Sequence, residues 1–398
     1  MTPVQLVELP TPTYHTELRD FLTATEPELW RWFAESKQLS ARSDDEAELE
    51  LLKSAIRLDG GVHDVLVAHA TLLRDAFAIT EPVALYQELG SSERNAHVFR
   101  LNGQVNVVFG GDLLELLEPS EQQVILAHEL AHIALWRRSD RDFEVLDQMI
   151  HRLASDPGAD DTVIETARRL RLHTEVWADA AAVAVLDDLE TSVAAMVKVG
   201  SGLRHVDPAA YLRQAEDILA LDSRATTAWT HPELHIRVAC LAACQVAGQR
   251  HAVEGVLATL INGPDDLDRL DLLGQRRLRT LAARVLATAT GSSASDTVTD
   301  YLAHYVDLAA DRADGAEEGK PVGNGELAEL SPSVRWFAAS LLVDLALVDD
   351  EVDDLADLRA MSAEAERQGV AEEFDKILAR ATEQTRSEVA ALRADTTP

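Results

Sequence analysis

Over roughly the first 80 residues the apolar positions recur at helical spacing. Thr25-Glu26-Pro27-Glu28 opens one helix, with Leu29, Trp30, Trp32 and Phe33 as its apolar positions. A polar stretch, Ser40 to Asp45, separates it from an amphipathic run over Glu46 to Arg57, and a third run covers Val62 to Phe77. The period changes at Pro82. Val83-Ala84-Leu85-Tyr86 reads as a strand, and Val98–Leu101 and Gln104–Phe109 read as two more that flank Asn102-Gly103. Asn-Gly between two such runs marks a hairpin, because a type I′ turn needs φ > 0 at both central residues. These runs predict a small antiparallel sheet over residues 82–109, ended by Gly110-Gly111.

From Asp112 onward the pattern is almost all helix. Pro119-Ser120-Glu121-Gln122-Gln123 has the form of a capping box on Ser120 and Gln123. It starts a helix that carries Val124, Ile125, Ala127, Leu130, Ala131 and Leu135 to about Arg138. Further helices are expected over Phe143–Leu153, Asp161 to about Leu189, Pro208–Leu221 and Pro232–Ala247. Past Gln249 the chain reads as a separate helical unit, interrupted at Ile261-Asn262-Gly263-Pro264 and at Gly291 to Ser295. Asp311 to Gly325, rich in Gly, Asp and Glu, is the expected flexible loop. Ser331-Pro332 then opens a helix through Trp336, Phe337, Leu341, Leu342 and Leu345. No fixed-period repeat is visible. The expected architecture is therefore α+β, mostly α, with a first domain over residues 1–248 and a helical domain over 249–398.

Composition narrows the function classes. The 398 residues include 36 Lys+Arg against 69 Asp+Glu, a formal net charge of −33. Such a chain repels phosphate backbones and anionic headgroups, which argues against nucleic-acid binding and electrostatic membrane docking. Two cysteines make no disulfide scaffold. No window approaches the ~18–20 apolar residues of a spanning helix, so membrane insertion is not expected. Met1 to Leu18 holds no Lys or Arg and no long apolar stretch, unlike a signal peptide. These features together suggest a cytoplasmic protein.

His128-Glu129-Leu130-Ala131-His132 carries the chemistry. Residues four apart share one helix face, so both imidazoles can reach one Zn²⁺ while Glu129 stands by to take a proton from water. A third ligand is available in Leu172-His173-Thr174-Glu175-Val176-Trp177-Ala178-Asp179. Glu175 and Asp179 lie four apart in an otherwise apolar stretch, and a carboxylate on an apolar face is costly unless paired or metal-bound. Glu175 as ligand leaves one zinc position open, and Asp179 one turn on can hold the free N–H of His128 or His132. The bland alternative is that both acids face solvent with Asp187, Asp188 and Glu190. His173 is a substitute ligand on a different helix face.

With these residues in place, the chain resembles the CAAX prenyl endopeptidase and HtpX family of zinc metallopeptidases, a gluzincin group. The family pairs HExxH with a downstream E-x-x-x-D-x-x-A, matched by Glu175 to Ala182. Its Thr-His-Pro followed by Arg is matched by Thr230-His231-Pro232 and Arg237, and its Asn-Ala with strands by Asn95-Ala96 and the hairpin. These elements fall in order across residues 82–241. The resemblance implies that His128, His132 and Glu175 bind one zinc per chain, that Glu129 is the general base, and that His231 stabilises the developing oxyanion. Arg237 is then structural, or holds Asp179 or His231. The strand Val105, Asn106, Val107, Val108, Phe109 would offer the edge on which an extended substrate pairs. Two departures are plain: many family members are membrane-embedded and this chain has no spanning segment, and His97 follows Asn95-Ala96 where the family often has an aromatic.

Other clusters are weaker. His231, His235, Cys240 and Cys244 form a rival set, but a straight helix puts Cys244 about 20 Å from His231 at ~1.5 Å per residue, too far for one metal. Asp349-Asp350-Glu351-Val352-Asp353-Asp354 lacks the Gly and closing Glu of an EF-hand loop and reads as a solvated helix junction. Leu341 to Glu373 is weakly similar to tellurite-resistance TerB-like helical domains through Ala346 to Val352, which implies an interaction module and a protein partner for that unit. The expected function is a zinc endopeptidase acting on a protein or peptide substrate. The alternative is a zinc-stabilised regulatory protein acting through its helical C-terminal domain. A third reading is a helical scaffold with an accidental HExxH.

Overall fold

The Asn102-Gly103 turn forms as its spacing predicts, with φ of 50° and 72° at the two residues. It joins β3 (Ala96–Leu101) to β4 (Gln104–Phe109) in an antiparallel pair. The computed structural model describes residues 9–36, 41–222, 224–245, 254–290, 320–347 and 356–382. In it β2 (Val83–Glu88) runs parallel to β4, and a short β1 (Ala55–Arg57) runs antiparallel to β2. The sheet order is β1-β2-β4-β3, so the sheet is mixed rather than antiparallel.

The reason lies in β4. Val105, Val107, Val108 and Phe109 are each at most 2% exposed, and strands buried on both faces take interior places. β4 therefore inserts between β2 and β3, and cannot be the substrate edge expected of Val105 to Phe109. The outer place falls to β3, whose exposed His97 and ion-paired Arg100 suit an edge. Ala55–Arg57, expected as helix, is drawn into the sheet by pairing with Tyr86 to Glu88.

The sheet is covered on both faces. On one, Ala84, Tyr86 and Val108 pack with Leu51 of α3 (Ala41–Ser54). On the other, Leu85, Val105, Val107 and Phe109 pack with Leu66 and Leu73 of α4 (Asp64–Ala76) and with Leu126, Leu130 and Ile133 of α6 (Pro119–Trp136). A short α5 (Leu113–Leu116) precedes α6. Behind α6 lie α7 (Asp142–Ala154), α8 (Asp161–Leu186) and α9 (Leu189–Ser201). α10 (Pro208–Leu221) and α11 (Leu234–Gln245) pack beside α9. The N-terminal helices are α1 (Thr13–Thr25) and α2 (Pro27–Ser36). Gly110 and Gly111 follow β4 where a Cβ would stand 2.7–2.8 Å from the Glu93 carbonyl, so no larger residue fits this crossing.

The chain divides into two units, Met1–Gly263 and Pro264–Pro398. The first runs past the expected boundary at 248 because Leu260 and Ile261 join Leu172, Val176, Ile236 and Cys240 in one buried cluster. The second unit contains helices Leu272–Thr290, Pro332–Leu347, Ala356–Gln368 and Ala371–Ala381 among its described residues. They share a core that includes Leu286, Leu342, Ala365 and Phe374. Of the loop expected over 311–325, residues 320–325 are described, and Val322 is buried in that core. Gly291 to Ser295 and the acidic run Asp349 to Asp354 lie outside the described residues. Among the described residues no helix is long and apolar enough to cross a membrane.

Candidate metal centre

α6 starts two residues earlier than a Ser120 cap would place it. Pro119 has no N–H to satisfy and occupies the first helical position, which makes Glu118 the cap. The Glu118 side chain accepts from the Glu121 amide, and Glu121 accepts from the Glu118 amide at 2.8 Å. Glu121 also pairs with the buried Lys198 at 2.7 Å, tying α6 to α9. The helix that follows is buried nearly all round, with Leu126, Ala127, Leu130, Ala131, Ile133 and Leu135 fully out of water. Glu129 and His132 are buried among them, and burial of such groups needs a compensating partner.

That partner comes from α8. A stripe at helical spacing, Arg168, Leu172, Glu175 and Asp179, faces α6 and α11. His128 Nε2 stands 3.2 Å from His132 Nε2 and 3.4 Å from Glu175 Oε2, and His132 Nε2 is 3.7 Å from Glu175 Oε1. Three donors bound tetrahedrally at ~2.0–2.1 Å are about 3.3 Å apart, which is close to this triangle. His128, His132 and Glu175 form a group that can hold a metal ion.

The surrounding hydrogen bonds fit that reading. Asp179 Oδ1 lies 2.8 Å from His128 Nδ1, which puts the ring proton there and turns the Nε2 lone pair into the triangle. Glu175 Oε2 is buried and makes no hydrogen bond, although His128 and His231 nitrogens stand nearby. An orphaned carboxylate oxygen beside two imidazole nitrogens four residues apart on one helix is the donor set a borderline cation such as Zn²⁺ takes.

Electrostatics agree. Burial opposes charge on His128, yet Asp179 and Glu175 outweigh it and push the imidazole up to about 10. Without a metal, Nε2 therefore carries a proton as well, and a cation bound at this point would displace it and take the lone pair. Burial alone would raise Glu175, but the three imidazoles around it hold the carboxyl far below its usual range. His132 is lowered to about 4 by burial and by the His128 charge. Burial pushes the Glu129 carboxyl up to about 7.

Asp179 is 1% exposed and also receives Arg237, at 2.7 Å from Nε and 2.6 Å from Nη2. Burial would raise Asp179, but the guanidinium keeps it ionised. Arg237 thus holds Asp179, one of the roles left open by the sequence. His231, on the loop before α11, is 45% exposed at its side chain with Nε2 3.3 Å from Glu175 Oε2. Partial burial lowers its imidazole. His173 does not join the triangle: its Nε2 bonds Asn262 at 2.8 Å and its ring stacks on Tyr14. His231 precedes α11 instead of sharing a helix with Cys240 and Cys244, and burial raises both thiols, Cys244 to about 11.

One set of contacts carries no signal in the sequence. Buried Arg168 clasps Glu165 through Nε and Nη2, at 2.7 and 2.8 Å. Its Nη1 donates to the Ala228 carbonyl at 2.9 Å and reaches the Thr226 carbonyl at 3.5 Å. The recipients are backbone oxygens about 60 residues away, which no side-chain pattern marks. No protein-family model, curated protein or solved structure matches the chain.

Proposed function

We propose that the first unit is a zinc-dependent endopeptidase, with His128, His132 and Glu175 holding the metal. The observation that carries this reading is the convergence of three donors on one point, one of them a buried and orphaned carboxylate oxygen, beside the buried Glu129 carboxyl. A zinc ion bound there supplies a Lewis acid that polarises a carbonyl and makes water easier to deprotonate. The chain's own groups do the rest. Glu129 takes the proton from the attacking water and passes it to the leaving nitrogen. Asp179, fixed by Arg237, keeps His128 in one tautomer and one orientation. His231, half open to solvent, donates toward the oxyanion that forms on the substrate carbonyl.

The substrate strand has a place to lie. The tight turn makes Leu101 and Gln104 a hydrogen-bonded pair, and Gly110 N donates to Asn95 O at 2.7 Å, so the residues of β3 alternate in register between them. Ala96, Val98 and Arg100 then turn their amides and carbonyls away from β4. Arg100 pairs with Glu144 at 3.1 Å and closely with Glu81, which fixes the edge against α7. An extended peptide adding to β3 is the mode of recognition this edge supports.

Incubation of the purified protein with an unfolded casein-like substrate, with and without chelator, tests the proposal. Cleavage that the chelator abolishes and zinc restores is the expected result. A protein that carries stoichiometric zinc and cleaves nothing instead fits the regulatory alternative.

A further inference from the structure

We infer that Arg168 is a positioning residue that holds His231 opposite Glu175. The stripe on α8 has Glu175 in its middle, Arg168 seven residues before it and Asp179 four residues after it. Each end grips the segment that carries His231. Asp179 takes Arg237, six residues beyond His231, and Arg168 takes the Ala228 carbonyl, three residues before it. His231 is thus held from both sides along the helix that carries Glu175, and its Nε2 lies 3.3 Å from Glu175 Oε2.

The loop is knit so that the Arg168 anchor reaches its far end. Thr226, 3% exposed, donates its amide to Leu260 O at 2.8 Å and its hydroxyl to Glu233 at the start of α11. The Ala228 amide donates back to that hydroxyl at 3.0 Å. Thr226 and Glu233 therefore close the loop, and Arg168 fastens its closed end to α8. Glu165 directs the guanidinium through two hydrogen bonds, leaving Nη1 for the loop, and Arg169 shares the same carboxylate at 2.9 Å. A planar fork can serve both partners at once; a lysine ammonium cannot reproduce that geometry. Displacement of a catalytic group by about 1 Å costs on the order of 100-fold in rate.

The role of His231 rests on the peptidase reading, but its positioning is measured independently. In full-length zinc-loaded Arg168→Met, amide hydrogen exchange over residues 225–233 is expected to rise at least about ten-fold. Exchange over 170–182 and the zinc content stay at wild-type values. On a peptide substrate kcat falls toward that of His231→Ala with KM little changed, and the double variant is no slower than His231→Ala alone. Unchanged exchange over 225–233, or losses that add in the double variant, overturn the inference. If the wild type cleaves nothing, the peptidase reading fails while the exchange result still decides the positioning. If Arg168→Met does not fold, Arg168→Lys keeps the charge opposite Glu165 and is judged by the same exchange criterion.

Discussion

Asp179 joins two elements through one carboxylate: it orients His128 on α6 and neutralises Arg237 on α11. Replacing it by Asn keeps the shape but removes the charge, leaving the partly buried Arg237 without its counter-ion. Asp179→Asn is expected to weaken zinc binding by about 10–100-fold in chelator competition. It should also destabilise the fold by about 3–5 kcal/mol in urea titration. An unaltered zinc affinity would mean that Asp179 does not orient His128. The residues of the triangle were legible because two helical spacings, His128/His132 and Glu175/Asp179, put ionisable groups where the pattern demanded apolar ones. Arg168 was not legible, because it acts through backbone carbonyls that leave no trace in the sequence.

At the scale of elements, hairpin and helices follow from spacing and turn chemistry, whereas strand order does not. Val105 to Phe109 holds one polar residue in five, which is the composition of an interior strand and a poor one for an edge. β1 leaves no mark in the sequence, since three residues carry no period. If substrate pairs on β3, Val98→Pro removes an outward amide without breaking the bonds to β4. We expect KM for a peptide to rise about ten-fold while the melting temperature stays close to that of wild type. Phe99→Pro, which removes an inward amide paired toward Asn106, should instead disrupt the sheet, visible as a large fall in melting temperature. Equal effects of the two would contradict the register assigned to the edge.

For the whole molecule, charge and acid sensitivity are linked. The net charge of −33 repels itself in the compact state, so added salt should raise the melting temperature. Acid acts on a specific point. His15 is fully buried, bonds Thr174 at 2.9 Å, and burial together with neighbouring His173 lowers it to about 3. Its folded value lies below the ordinary 6.5, so below pH 6.5 the unfolded chain binds a proton that the folded one refuses. Stability is retained above pH 6.5 and declines below it, by about 2 kcal/mol at pH 5 from this group alone. Urea midpoints of wild type and His15→Gln, compared between pH 7 and pH 5, should show the smaller fall in the variant; parallel falls would assign the acid sensitivity elsewhere.

We propose, above all, that the triangle of His128, His132 and Glu175 and the buried Glu129 form one hydrolytic site. Glu129→Gln tests it most directly, with zinc content and cleavage of an unfolded substrate measured on the same preparation. The expected result is one zinc per chain in both proteins, cleavage by the wild type, and loss of cleavage in the variant. Turnover by Glu129→Gln at the wild-type rate would contradict it.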